Sequence, residues 1–130
     1  MGFNLRVASP VGYEPTVALG SNTILVNDPR AAADGADLVV TDSWVSMGQE
    51  SEKIQREKAF LPYQVDSKIM KLASSDALFM HCLPAHRGQE VASDVIDHPN
   101  SLVWQEAGNR LHMHKALLEF LIAHNSNNAV

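Results

Sequence analysis

The side chains best suited to chemistry lie in three short stretches. The first is Met80-His81-Cys82-Leu83-Pro84-Ala85-His86-Arg87-Gly88, which holds the only cysteine of the chain. His81, His86 and Arg87 can give Cys82 the electropositive setting that makes a thiol reactive. The alternative for Cys82 is a small buried hydrophobe. The second stretch is Asp42-Ser43-Trp44-Val45-Ser46-Met47-Gly48-Gln49-Glu50, with a carboxylate, two hydroxyls and a glycine that lets the backbone approach a ligand. If this loop opens a helix, its free amides can hold an anion. A carboxylate for an ammonium group plus amides for a carboxylate suits an amino acid; an ordinary capping loop is the alternative. The third is Arg110, within Trp104-Gln105-Glu106-Ala107-Gly108-Asn109-Arg110-Leu111-His112. Its guanidinium fork can grip phosphate or carbonyl oxygens, or it can pair with Glu106 one helical turn away. The histidines make no metal pattern. His112 and His114 face different ways on a helix, and His81 and His86 flank a proline turn without a second ligand pair, so no metal site is expected.

Each of these loops follows an apolar run that reads as a strand. Strands are expected at Leu5–Ala8, Thr23–Asn27, Asp37–Thr41, Leu78–Met80 and Leu102–Trp104. Between them the spacing predicts helices. Asp28 and Pro29 form a start signal for Arg30–Asp34. A charged helix runs over Glu52–Phe60 and is broken at Pro62-Tyr63. Asp66 caps Ser67–Ala73, Ser93–Asp97 makes a helical turn, and the longest helix covers Ala107–His124 before a frayed tail over 125–130. This alternation implies an α/β fold, an open and mostly parallel sheet with helices on both faces. Ligands then bind at the carboxyl ends of the strands, where all three loops emerge. One connection is anomalous. About 14 residues, Ser9–Asn22, separate the first two strands with two prolines and two glycines, and no helix fits where a parallel crossover normally carries one.

Composition narrows the function classes. At 130 residues the chain makes one domain. A net charge of −5 argues against nucleic acid, which demands a concentrated positive face. One cysteine excludes an internal disulfide and suits a reducing compartment. No apolar run approaches the roughly 18 residues of a membrane span, and the first residues lack a signal or transit composition. A cytoplasmic chain without membrane or nucleic-acid partners is expected.

In order and spacing, Asp42-Ser43-Trp44-Val45-Ser46-Met47-Gly48, His81-Cys82-Leu83-Pro84 and Asn109-Arg110-Leu111-His112 resemble the motifs of the ornithine carbamoyltransferases, within the aspartate/ornithine carbamoyltransferase superfamily. Gly12-Tyr13-Glu14-Pro15 is similar to that family too. The resemblance covers nearly the whole chain, as a partial Rossmann-like ornithine-binding domain over 1–124. It implies attack of the ornithine δ-amine on the carbonyl of carbamoyl phosphate, giving citrulline and phosphate in arginine metabolism, without metal or organic cofactor. It implies that Asp42 holds the α-ammonium group, and that Ser46 and the Met47 amide position the amino-acid end. Cys82 and the Leu83 carbonyl would contact the carbamoyl amino group and the incoming amine, and Arg110 would steady the carbonyl and phosphate oxygens. It implies a cis bond before Pro84.

The departures carry expectations of their own. The family's Ser-Thr-Arg-Thr-Arg phosphate loop does not occur in this sequence. The family's carbamoyl-phosphate domain, and the first strand and helix of the ornithine domain, are expected to be missing. With them would go the main contacts of the family's homotrimer, leaving an uncovered sheet edge and little activity in isolation. Two other readings are a non-catalytic amino-acid-binding or subunit-docking remnant and a carbamoyltransferase for another amine such as putrescine. If the source is eukaryotic, the family's compartment is the mitochondrial matrix.

Overall fold

A computed structural model describes residues 2–17, 20–45, 48 and 50–127. The elements run β1 (Leu5–Ala8), β2 (Thr23–Val26), α1 (Pro29–Ala33), β3 (Leu38–Thr41), α2 (Lys53–Phe60), α3 (Ser67–Met70), β4 (Leu78–His81), α4 (Ser93–Ile96) and α5 (Val103–Asn127), with 3-10 turns at Glu50–Glu52 and Leu61–Tyr63. The fold is mixed α/β and the strand pairing is parallel. β1 pairs with β2 from Leu5↔Thr23 to Ala8↔Val26, and β3 with β4 from Leu38↔Leu78 to Thr41↔His81. The strands form two separate pairs rather than one continuous sheet.

The helix starts follow their caps. The Asp28 carboxylate accepts from the Arg30 amide at 2.9 Å, with Pro29 in the first helical position where a missing N–H costs nothing. Asp66 accepts from the Lys68 and Ile69 amides, both at 2.9 Å. α3 stops at Met70, short of the expected Ala73; Leu72 and Ala73 close turns onto the Ile69 and Met70 carbonyls instead. The β1–β2 connection is parallel, and its described residues contain no helix. It is held by side chains. The Tyr13 ring meets Phe60 edge-on at 5.1 Å, and Glu14 accepts from the Gly12 amide.

The predicted fifth strand is not formed. Among the described residues one bridge, Phe79↔Ser101, extends the β3–β4 pair, and the chain turns helical at Val103. A three-residue apolar run fits a strand or the first turn of a buried helix equally well. Here the fully buried Val103 anchors that turn in the core, and the helix formers Gln105, Glu106 and Ala107 carry it on. α5 therefore starts four residues before the expected Ala107 and runs to Asn127.

The core lies between β3, β4, α4 and the start of α5. It contains Val39, Val65, Phe79, Val91, Val95, Ile96 and Val103. The segment around Val91 joins it through a parallel bridge to Val65, with the Val65 amide donating to the Glu90 carbonyl and the Ala92 amide to Val65, both at 2.9 Å. Ile24, Leu38 and Val40 stay exposed, as do Trp104, Leu111 and Leu118 along α5. Parallel strands normally have both faces covered, so these surfaces are open ones.

Candidate active site

The register of β3 and β4 builds the site. Thr41 sits opposite His81 at the carboxyl ends of two neighbouring parallel strands. One residue further on each strand, Asp42 and Cys82 are therefore side by side. The Cys82 thiol donates to Asp42 Oδ1 at 3.2 Å, and the same oxygen accepts from the Ser43 amide at 2.7 Å. Residues separated by 40 positions are joined because the strands that carry them are paired. A second tie fixes the loops to each other: the Ser43 hydroxyl donates to the Pro84 carbonyl at 3.1 Å.

The loop after β4 has an unusual backbone. The Leu83–Pro84 peptide is cis, and Leu83 has φ 55°, the left-handed region. A residue with a Cβ pays about 1–2 kcal/mol there, and the surroundings hold it. The Leu83 amide donates to His81 Nδ1 at 2.9 Å, and the Leu83 side chain packs on the core. Further along, the Gly88 amide bonds the Val91 carbonyl at 2.8 Å and the Gln89 amide bonds His86 at 3.0 Å. Gly88 at φ 83° makes that turn possible.

The electropositive setting expected around Cys82 is not there. Arg87 lines the same cavity as Cys82, but its guanidinium is taken up in a two-pronged pair with Asp97. His81 is fully buried and faces Glu90, and His86 Nδ1 lies 3.5 Å from the same carboxylate. What faces the thiol is Asp42. The hydrogen bond to that carboxylate, followed by partial burial and the charges of Asp42 and Glu106, pushes the Cys82 thiol above its ordinary range. Cys82 is thus a neutral, exposed hydrogen-bond donor at physiological pH, rather than a thiolate nucleophile. The reading of Cys82 as a buried hydrophobe fails as well, because alternation along β4 puts His81 inside and Cys82 outside.

Arg110 lies on α5, where the helix passes the β4 loop. It lines an open cavity of about 770 Å³ together with Cys82, Leu83, Pro84, Trp104 and His114. Among the described residues Arg110 forms no ion pair, so the alternative partner Glu106 is not engaged. Asp42 and Ser43 line a neighbouring hollow of about 410 Å³, bounded by Trp44, Arg56 and Phe60. The Cys82–Asp42 hydrogen bond joins the two hollows. Trp44, buried and stacked at 6.4 Å on Phe60, ties the Asp42 loop to α2. Ser46 and Met47 lie outside the described residues; Gly48 has φ 87°.

Ligand atoms of Asp42, His81 and Cys82 lie within 4.8 Å of one another, close enough for a divalent cation. Binding one would compete with the contacts His81 already makes. Sequence reasoning missed Glu90. Nothing local marks it, since it sits between Gln89 and Val91 on a segment whose burial comes from the Val65 bridge.

The family described as "Aspartate/ornithine carbamoyltransferase, Asp/Orn binding domain" matches residues 1–121. The chain is 57% identical over 126 residues to the ornithine carbamoyltransferase of Methylococcus capsulatus, covering 94% of this chain and 42% of that protein. To the ornithine carbamoyltransferase of Acinetobacter baumannii it is 54% identical over 129 residues, covering 96% and 42%. Among solved structures, anabolic ornithine carbamoyltransferase from Campylobacter jejuni superimposes with a TM-score of 0.84 at 35% identity, covering 95% of this chain and 44% of that one. Ornithine carbamoyltransferase from Burkholderia thailandensis gives 0.79 at 47% identity, covering 92% and 39%. The chain thus spans well under half the length of the curated relatives it matches. It belongs to the aspartate/ornithine carbamoyltransferase family, within the Asp/Orn binding domain.

Proposed function

We propose that this chain is the ornithine-binding half of an ornithine carbamoyltransferase, active only beside a carbamoyl-phosphate domain. The observation that carries the reading is the Cys82–Asp42 pair at the ends of two paired parallel strands, with Leu83 and Arg110 on the adjoining cavity. The reaction joins the δ-nitrogen of ornithine to the carbonyl carbon of carbamoyl phosphate. The tetrahedral intermediate expels phosphate, the nitrogen loses its proton, and citrulline remains. Asp42 holds the α-ammonium group, while Ser46 and the Met47 amide hold the amino-acid end. The Leu83 carbonyl and the Cys82 thiol meet the carbamoyl amino group and the attacking amine. Arg110 steadies the oxygens on which charge develops.

The thiol's neutrality matters to this chemistry. Only an unprotonated amine attacks, and a thiolate beside Asp42 would stabilise the δ-ammonium form. A neutral thiol orients the amine without adding a second negative charge. The protein's contribution is then orientation and stabilisation of a developing oxyanion. The single cysteine suits a reducing compartment such as the cytoplasm, where arginine metabolism would place the enzyme; among the described residues no helix is long and apolar enough to cross a membrane.

The exposed apolar strips of α5 also fit the second reading, a module that docks on other subunits without catalysis. An NMR titration of the labelled chain separates the two. L-Ornithine should shift the Asp42 and Cys82 amide signals, and putrescine, which lacks the amino-acid end, should not. A folded chain with no response to ornithine overturns the proposal, and a response to putrescine alone favours a different amine.

A further inference from the structure

We infer that His81, held by Glu90, is a positioning residue that sets the direction of the Leu83 carbonyl and the Cys82 thiol. Both side chains are 0% exposed, and neither lines the open cavity beside Cys82. Two buried titratable groups at the root of a site loop call for a physical reason, because burying polar groups is costly unless they are paired.

The contacts supply one. The Leu83 amide donates to His81 Nδ1, so in the neutral ring that nitrogen carries no proton. The proton is then on Nε2, which faces Glu90 Oε1 at 3.3 Å. The approach is off the hydrogen-bond axis; among the described residues Nε2 has no hydrogen-bond partner, and Glu90 is the carboxylate that faces its proton. The same Glu90 oxygen accepts from the His86 amide. One buried carboxylate oxygen thus meets the loop at both ends, through His81 where it leaves β4 and through His86 where it returns. Between these points the backbone turns left-handed at Leu83, a conformation a Cβ-bearing residue rarely adopts unaided. The bond to His81 Nδ1 is what holds the amide on the core side and leaves the Leu83 carbonyl free for the site. His81 does this through the backbone, since alternation puts the Cys82 side chain on the opposite face of β4.

The role rests on the carbamoyl-transfer reading, but its test uses no substrate, so the two fail separately. Two substitutions divide the histidine's functions. In His81→Asn the side-chain oxygen falls near the place of Nδ1 and can still accept from Leu83. In His81→Gln the amide falls near Nε2, keeping a donor for Glu90 and losing the acceptor for Leu83. The readouts on the purified chain are amide exchange at Leu83 and alkylation of Cys82 at neutral pH, with exchange at core amides such as Val39 as the control for folding. Losing one hydrogen bond should speed Leu83 exchange roughly two- to tenfold in His81→Gln and raise the alkylation rate, while His81→Asn stays near the parent. Equal effects in both variants, or none in either, overturn the inference. Should both variants fail to fold, nitrogen NMR of the unaltered chain decides: a proton on Nε2 of His81 supports the assignment, and a proton on Nδ1 overturns it.

Discussion

The bond between Cys82 and Asp42 makes a sharp prediction for Asp42→Asn. The substitution keeps the shape and the side-chain oxygen that accepts from Ser43, and removes the charge that faces the thiol. A buried hydrogen bond to a charged group is worth about 1.5–3 kcal/mol. Both side chains here are exposed, so solvent screening reduces the figure to about 1 kcal/mol or less. That corresponds to about a fivefold change in the thiol–thiolate equilibrium. Because Cys82 is the only cysteine, its alkylation rate can be followed against pH without interference. The midpoint should move to lower pH in Asp42→Asn, and the rate at neutral pH should rise by up to about fivefold. The melting temperature should hardly move, since exposed substitutions away from caps and core change stability by about 0.5 kcal/mol or less. An unchanged profile, or a shift to higher pH, would show that Asp42 does not govern the thiol.

Other consequences follow from the same geometry. Cys82 has its pKa raised in the folded state, so its contribution to stability is present below the unfolded value and is lost as pH rises through the raised one. Urea melts should show an alkaline loss in the parent that Asp42→Asn reduces. Phe79 is 1% exposed at the centre of the core, and Phe79→Ala should cost about 3–5 kcal/mol. For 130 residues this lowers the melting temperature by roughly 10–20 °C; a drop of only a few degrees by circular dichroism would mean that the core is loosely packed. Arg87→Ala should return the Asp97 carboxyl from its lowered pKa towards the ordinary range, as read by carbon NMR, and leave Cys82 alkylation as it was. In an enzyme reconstituted with a carbamoyl-phosphate domain, Arg110→Ala should lower kcat by about 10²-fold or more, the scale of a lost oxyanion contact; a change in KM alone would remove Arg110 from that role.

The parts of the fold that could be read from the chain were those with local causes. Asp28-Pro29 and Asp66 announce helix starts because their side chains bond amides two or three residues away. The strands β1 to β4 announce themselves through short β-branched and apolar runs. Leu102-Val103-Trp104 misleads because an apolar triplet has no period of its own; the burial of Val103 in the core decides for helix. At the site, the loops after β3 and β4 were legible as strand ends, and parallel pairing then implied that they share an edge; Arg110 instead lies on α5, because the strand expected before it is not formed. The surroundings of Cys82 were not legible. His81, His86 and Arg87 are its neighbours in sequence, yet each turns to a carboxylate, and the residue that meets the thiol comes from 40 positions away. Glu90 escaped notice for the same reason, since its burial is made by a bridge between Val65 and Val91.

Whether this chain is half of an ornithine carbamoyltransferase is decided by citrulline formation from L-ornithine and carbamoyl phosphate, measured on the purified chain with and without a separately expressed carbamoyl-phosphate domain. Citrulline should form only on mixing, and should be lost when Asp42 or Arg110 is replaced by alanine. No citrulline from a folded mixture, or equal turnover by the chain alone, would contradict that reading.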